Sequence, residues 1–324
     1  MDYIAPTTFA RRPVLWLQLV SQNRSTITYA PVFGYKLAAK RLKSSDCDID
    51  LSSLRISGVG GDMINVQELY DFAHATARFG FQAKSFTPSY GLAESTLLVS
   101  FRHGLGEVTV HRKRLEENHV VYSQLGKPDV RSLAICGRPL NGHQIIVCDT
   151  NGSPPVPEHR IGHICIRGPS LMSGYCDESL QPMKRIVDAN FFDTGDAGFI
   201  RDGELVVTGR FKEMIVVNGR NIWPQDVERA VKAVSELQNA HAAAFAVDED
   251  NSEVVVVLVE CGGEIHREDT DALKLRTAAA VNSSIGVTPH VELVRAGSLP
   301  FTSSGKLSRS GARKAYIARL LSYV

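Results

Sequence analysis

Residues 204–231 read Glu204-Leu-Val-Val-Thr-Gly-Arg-Phe-Lys-Glu-Met-Ile-Val-Val-Asn-Gly-Arg-Asn-Ile-Trp-Pro-Gln-Asp-Val-Glu-Arg-Ala-Val231, and they divide the chain. Two apolar, β-branched runs, Glu204–Thr208 and Met214–Val217, flank the charged stretch Gly209–Glu213, where the burial pattern breaks. A helix then opens at Pro224, a residue favoured at the first helical position because its missing N–H would have no partner there anyway. Val227, Ala230, Val231 and Val234 fall at i, i+3, i+4 and i+7 and give that helix one buried face. The reading is a domain over 1–209, a hinge at 210–213 and a second domain over 214–324.

Downstream, Ala242–Val247 and Glu253–Val259 read as strands, Thr270–Ile285 as a helix, and a last helix runs from about Ser308 to the end, a compact α+β unit. Upstream, Gln144–Cys148, His163–Arg167 and Glu204–Thr208 are strands separated by Pro, Gly and Asp turns. Before them helix and strand alternate: Tyr35–Leu42 and Asn65–Phe79 as helices, Leu54–Ser57 as a short strand, then a turn at Gly58, Gly60 and Gly61. The fold class is α/β, with mixed sheets and helices in a large domain. No internal repeat is visible.

Basic and acidic side chains nearly cancel, 36 against 35, so nothing electrostatic points to nucleic acid or an anionic membrane. No apolar run approaches the ~20 residues of a membrane span. Arg11-Arg12 before Val14–Val20 has the outline of a twin-arginine signal. Pro13 intervenes and Gln18 interrupts the apolar run, so a packed helix is the reading, and the cytoplasm the expected compartment. The six cysteines (Cys47, Cys136, Cys148, Cys165, Cys176, Cys261) show no CxxC spacing and read as reduced, mostly buried thiols. His159 and His163 lack the helix face and the Glu of a metal motif. His111-Arg-Lys-Arg114, followed by Glu116-Glu117, reads as a solvated face.

Four segments carry candidate chemistry. Leu299-Pro-Phe-Thr-Ser-Ser-Gly-Lys306 is a polar loop that can carry an ammonium into a cleft, or simply a turn with a solvated lysine. It is not a phosphate loop of the GxxxxGK[ST] type, because position 300 is Pro and 307 is Leu. Tyr90-Gly-Leu-Ala-Glu94 joins an aromatic ring, a glycine permitting close approach and a carboxylate able to hold Mg²⁺; a strand-to-helix turn is the plainer reading. Phe192-Asp-Thr-Gly-Asp196 and Thr208-Gly-Arg210 flank a hairpin. A carboxylate there can accept both ribose hydroxyls and a guanidinium can donate to ribose or phosphate, although ordinary turns look the same.

In their order and spacing, Phe192–Asp196, Gly209-Arg210 and Thr302–Lys306 resemble the adenylate-forming superfamily of acyl and aryl ligases. Tyr90-Gly-Leu-Ala-Glu-Ser-Thr96, Gly137-Arg-Pro-Leu140 and Val217–Glu228 more narrowly resemble its fatty acyl-AMP ligase branch, as does the opening with Arg12-Pro13, Trp16-Leu17, Ala30-Pro31 and Tyr35. The resemblance covers essentially the whole chain. It implies that residues 1–209 are the C-terminal portion of a large AMP-binding domain, with a β-barrel-like subdomain, and that 214–324 are its small C-terminal domain.

Position by position, the resemblance implies that Gly60, Gly61 and Asp62 line the adenine slot, where the family usually has Gly-Ala-Glu. Tyr90 stacks on the adenine within Gly91, Leu92 and Ala93, and Glu94 ligates Mg²⁺. Asp196 and Arg210 hold the ribose. Lys306 is the catalytic cation, and Lys212 is the pivot about which the small domain rotates between half-reactions. Val32 stands where the family has Asn. ATP and Mg²⁺ are the implied cofactors, a fatty acid the substrate, and an acyl carrier protein or polyketide synthase the acceptor. The polar stretch from about Ser100 to Ala134 reads as a surface excursion. It resembles the insertion that separates fatty acyl-AMP ligases from acyl-CoA ligases.

The family's Ser/Thr/Gly-rich phosphate loop, closing with Pro-Lys, is not among these 324 residues; nor is a GxGxxG, since position 63 is Met. Each such donor contributes roughly 10²–10³ in rate, so the chain by itself is expected to be inactive. A separate N-terminal half, a non-catalytic remnant or interaction partner, and an acyl-CoA ligase fragment are the competing readings.

Overall fold

The computed structural model describes residues 2–42, 48–127, 129–149, 156–175, 185–186, 191–249, 252–262, 267–302 and 305–324. Cys47, Cys176, Ser303 and Ser304 lie outside them. Two compact units emerge, Met1–Thr208 and Gly209–Val324. Among the described residues no helix is long and apolar enough to cross a membrane.

In the first unit, α1 (Pro6–Arg11), α2 (Val14–Gln22), β1 (Ile27–Ala30), α3 (Val32–Leu42), β2 (Ile56–Val59), α4 (Val66–Thr76) and β3 (Phe86–Gly91) build a parallel βαβ layer. Then β4 (Leu98–Phe101) and, after an excursion, β7 (Arg138–Pro139) extend it antiparallel, in the order β1-β2-β3-β4-β7. The helices α2, α3 and α4 cover this sheet through an aromatic cluster. Tyr35 meets Trp16, Phe72 and Phe86 with ring centroids 5.1, 5.0 and 5.5 Å away, near edge-on, a geometry favoured by ring quadrupoles. The fully buried Tyr35 hydroxyl donates to the Gly58 carbonyl at 2.9 Å, fixing β2 just before its carboxyl end. The Asn65 side chain caps α4 by accepting from Gln67 N–H at 3.1 Å, as an N-cap residue does.

The excursion holds β5 (Glu107–His111), α5 (Arg112–Glu116) and β6 (Val130–Ala134), with β5 and β6 paired antiparallel. This corrects the reading of 100–134 as surface alone: Val108, Val110, Leu115 and Leu133 are buried, because alternation along two short strands sufficed for a small core. The solvated-face reading of His111–Arg114 also needs amending. Lys113 and Arg114 are exposed, but Arg112 is buried and pairs with Asp129.

A second sheet contains β8 (Gln144–Cys148), β9 (Gly162–Arg167), β10 (Arg185–Ile186), β11 (Phe191–Arg201) and β12 (Glu204–Arg210), in the order β10-β11-β9-β8 with β12 also on β11. Among the described residues the strand order closes no barrel, and β12 is also bonded to the segment after β6, where Cys136 N–H donates to the Leu205 carbonyl at 2.7 Å and Leu205 N–H to the Gly137 carbonyl at 2.8 Å. Asp202 and Gly203, both at positive φ, make the tight β11–β12 turn that suits right-twisted strands.

In the second unit, β13 (Ile215–Val217) and β14 (Arg220–Ile222) form a hairpin. Its turn, Asn218-Gly219, has φ 51° and 72°, a two-residue turn of the primed type. The strand β14 went unread although this dipeptide marks it. The helix α6 (Pro224–Val231) buries Val227, Ala230 and Val231. Next come β15 (Ala242–Glu249), β16 (Ser252–Cys261), α7 (Arg267–Ile285), β17 (His290–Arg295) and α8 (Arg309–Ile317), with β15-β16 antiparallel and β16-β17 parallel. Both sheet faces are covered: Val255, Val257 and Val259 face one apolar cluster, Val256 and Leu258 the other.

The last helix does not run to the end of the chain. Ser308 caps it by accepting from Gly311 N–H, and it stops at Ile317, where Arg319 turns to φ 54°. Leu321 then enters the core and Tyr323 bridges to Val294 on β17. Burying one leucine and pairing backbone to β17 replaces the last turn of the helix.

With its own two-faced core and the span Gly209–Val324, a common size for a domain, the second unit is expected to fold by itself. Residues 209–324 produced alone should show one cooperative thermal transition by circular dichroism. A gradual, non-cooperative loss of signal would show that the unit depends on the first.

Candidate active site

The parallel strands β2 and β3 run side by side, with Val59 opposite Pro88, so the residues at their carboxyl ends meet. This is where open α/β sheets bind ligands. Gly60 follows β2 and lies against Ser89: a Cβ on it would sit 2.6 Å from Ser89 Oγ and 2.8 Å from Ser89 O. Ser89 Oγ in turn donates to the Val59 carbonyl at 3.0 Å. Gly61 takes φ 79° and has open space before it. Asp62 is exposed and accepts from Met63 N–H at 2.7 Å.

Tyr90 belongs to β3 itself. Its ring is 8% exposed, and its hydroxyl donates to Asp196 Oδ2 at 2.8 Å. Asp196 lies on β11 of the other sheet and reaches Tyr90 because the strand breaks its register. Asp193 faces Cys165 and Ala197 faces His163, so four steps along β11 match two along β9. Such bulges re-aim side chains. Gly195 takes φ 74° at the bulge, and Asp193 Oδ1 accepts from its N–H at 2.8 Å. Thr194 Oγ1 accepts from Asp196 N–H at 3.1 Å while donating to the Ile164 carbonyl at 2.8 Å. His163 Nδ1 lies 3.1 Å from Asp193 Oδ2. Asp193, Thr194 and His163 thus hold the bulge, a role not read from the sequence. The glycine inside a strand was the available signal.

After Tyr90 the chain folds back on itself. A Cβ at Gly91 would sit 1.6 Å from the Leu97 carbonyl oxygen, so no other residue fits without moving backbone. Leu92 is half-buried, Ala93 exposed, and Ala93–Ser95 make a short 3₁₀ turn. Thr96 has φ 62° and ψ −61°, with Leu97 N–H donating to the Ser95 carbonyl at 2.6 Å. This is the strained form of γ-turn, of the kind that clusters at functional sites. Glu94 Oε1 accepts from the Tyr175 hydroxyl at 2.8 Å, and its backbone carbonyl from Met172 N–H at 2.8 Å. Tyr175 is a further partner not foreseen.

Arg210, Lys212 and Lys306 belong to the second unit. Arg210 and Lys212 are exposed at the start of it, Lys212 within a 3₁₀ turn, Phe211–Glu213. Gly209 lies against Trp223, 2.6 Å from ring carbon to a hypothetical Cβ. The exposed Lys306 closes a tight loop: its N–H donates to Thr302 Oγ1 at 3.1 Å, and its carbonyl accepts from Thr302 N–H at 2.7 Å.

The four cysteines among the described residues are all buried. Burial pushes the Cys136 thiol up to about 12 and also raises Cys148, Cys165 and Cys261, the environment of inert thiols. Among the described residues no group of three His, Cys, Asp or Glu side chains gathers to hold a metal.

A model of the AMP-binding enzyme family matches residues 2–176, and a model of the AMP-binding enzyme C-terminal domain matches 219–310. A protein of Caulobacter vibrioides that carries the provisional name of an acyl-CoA synthetase is 40% identical over 98% of this chain and 56% of its own. The medium-chain-fatty-acid–[acyl-carrier-protein] ligase JamA of Moorena producens is 33% identical over 97% of this chain and 56% of its own. A solved chain from structural work on fatty acyl-adenylate ligases of E. coli and L. pneumophila superposes with a TM-score of 0.88. It is 38% identical and is covered over 57% of its length by 98% of this chain. The chain spans about half the length of the curated relatives it matches. With more than half of the residues matched by one family model, the chain belongs to the AMP-binding enzyme family.

Proposed function

We propose that this protein takes part in the ATP-dependent activation of a fatty acid as its acyl-adenylate, and that the acyl group then passes to an acyl carrier protein or polyketide synthase. The observation that carries the reading is the buried Tyr90–Asp196 bond at the carboxyl ends of β2 and β3, which supports an aromatic wall and a ribose acceptor within one site. Gly60, with no room for a Cβ against Ser89, lets β2 and β3 close up, and Gly61, with open space before it, leaves backbone accessible to a flat purine. Asp196 accepts the ribose hydroxyls, and Arg210 donates to ribose or phosphate.

The chemistry joins two anions: the fatty carboxylate attacks the α-phosphate and pyrophosphate leaves. Lys306 brings the ammonium that holds the charge developing on the phosphoryl oxygens. Lys212 is the pivot that carries it in and out. Glu94, oriented by Tyr175, is the residue suited to Mg²⁺, which uses one or two protein carboxylates together with substrate phosphates. Bound there, the ion supplies neutralisation of phosphate charge.

The test is ATP–pyrophosphate exchange over a panel of fatty acids, by the chain alone and with the N-terminal half of a relative supplied. Fatty-acid-dependent exchange in either arm supports the reading, and exchange only in the second supports a divided enzyme. No exchange in either arm favours a binding role.

In the active arm, Lys306→Ala is expected to lower exchange by about 10²-fold or more. Because the side chain is exposed, stability should change by less than about 0.5 kcal/mol by urea titration. Retention of more than a tenth of the rate would remove Lys306 from the chemistry.

A carrier acceptor is supported by the likeness to JamA, and the alternative, coenzyme A, by the likeness to the Caulobacter protein. The excursion can be tested without breaking its sheet. His111 and Val130 are paired opposite each other, so a two-residue Asn-Gly turn can replace residues 112–129. If the excursion sets the acceptor, the shortened protein forms acyl-CoA where the parent does not. Equal acyl-CoA formation by both would favour coenzyme A as the natural acceptor.

A further inference from the structure

The second unit contains a three-way ionic junction that the candidate site does not use. Arg309, 17% exposed at its side chain, donates from Nε to Glu228 Oε1 and from Nη2 to Glu228 Oε2, both at 2.7 Å, and from Nη1 to Glu213 Oε2 at 2.7 Å. Glu228 also accepts from Ala244 N–H at 3.2 Å. The three charged residues come from three places: the turn that contains Lys212, the helix α6, and the first position of α8. Glu228 and Arg309 are mostly buried, with burial raising the Glu228 carboxyl against the pull of Arg309, while Glu213 is the more open partner. A buried ionic group of this kind is weak as a source of stability, since apolar side chains of the same volume often do as well. What it supplies is direction: the planar guanidinium offers five donors in a rigid fork and can hold two carboxylates at set angles.

Little slack separates Arg309 from Lys306. Ser308 N–H donates to the Pro300 carbonyl at 2.9 Å and Ser308 Oγ caps α8. Leu307 bridges to Phe301, and Lys306 is bonded twice to Thr302. At its other end the loop is held by Glu260 Oε1, which accepts from Leu299 N–H at 2.8 Å. On the far side of the junction, Glu213 is the residue next to Lys212, and Met214 N–H closes that turn on the Phe211 carbonyl at 3.1 Å.

We infer that Arg309 is a positioning residue that ties the Lys306 loop to the Lys212 turn through Glu213, so that lysine and pivot move as one rigid piece. This rests on the reading of Lys306 as the reacting cation. Glu228 takes two of the three bonds and keeps α8 docked on α6. Glu213 takes the third and carries the coupling. The chemistry gains because an ammonium on a short, fixed arm loses no effective concentration to loop motion.

The test is Glu213→Gln in the full 324-residue chain, which removes one charge and leaves the Arg309–Glu228 pair in place. Amide hydrogen exchange is followed by mass spectrometry in peptides covering 299–308, 211–216 and 252–261. Exchange is expected to rise at least fivefold in both 299–308 and 211–216, with 252–261 unchanged. A rise confined to 211–216, or no rise at all, would overturn the coupling. Arg309→Lys, whose single ammonium cannot reproduce the fork, should loosen both peptides further; if it leaves 299–308 as protected as in the parent, the inference also fails. Where pyrophosphate exchange is measurable, Glu213→Gln should lower kcat about tenfold while the KM for ATP stays within twofold. A purely structural defect would reduce the active fraction and be reversed by normalising to folded protein. If the parent shows no pyrophosphate exchange even with the N-terminal half supplied, the adenylation reading is what fails, and the amide-exchange result still decides the coupling.

Discussion

The candidate site in the first unit is organised around one hydrogen bond, from the Tyr90 hydroxyl to the Asp196 carboxylate. The two residues lie on different sheets, 106 positions apart in the chain, and both are buried. A carboxylate in that setting needs partners, because an uncompensated buried charge is costly. The tyrosine supplies one and is itself fixed by doing so. Everything that shapes the site serves this contact: the aromatic cluster around Tyr35 sets the ends of β2 and β3, and the β11 bulge turns Asp196 toward them.

Regular structure stops where the site begins. β11 takes two extra residues between Asp193 and Ala197, and the chain after β3 folds into a strained turn at Thr96. Each departure is held by side chains that have no other evident task. Asp193 and Thr194 bond the bulge internally. Ser170 holds the turn through Ser95 Oγ at 2.8 Å and is itself 2.7 Å from His143 Nε2. A conformation of this energy persists when its surroundings over-determine it, and here those surroundings are contributed by loops and strands remote in sequence.

The second unit solves a different problem. Its apolar clusters, one on each face of β15-β16-β17, account for its cohesion. The ionic junction at Arg309 adds orientation: three segments that apolar packing would allow to slide are locked by bonds with definite angles. Lys306 is exposed, yet the backbone of its loop is bonded at both ends, which suits the role proposed for its side chain.

Much of this was legible in the sequence. The helical periodicity of Val227, Ala230 and Val231 and the β-branched runs of β15 and β16 reported elements whose burial is set by local pattern. The Asn218-Gly219 and Asp202-Gly203 dipeptides marked turns, although β14 was passed over beside the first. The motif residues around Tyr90, Asp196 and Lys306 were legible as a set, in order and spacing. Their partners were not: Tyr175 for Glu94, Ser89 for Gly60, and Glu213 and Glu228 for Arg309 come from other elements, and no local pattern encodes a contact between residues far apart in the chain. The end of α8 at Ile317 and the core inside the 100–134 excursion were decided in the same way, by Leu321 and Leu115 finding apolar neighbours. The sequence by itself determined most of the helices and strands and which side chains could do chemistry, because periodicity, turn preference and residue type are local properties. The tertiary structure alone decided which of those side chains meet and how they are aimed, because burial, register shifts and buried ion pairs depend on what the rest of the chain brings alongside.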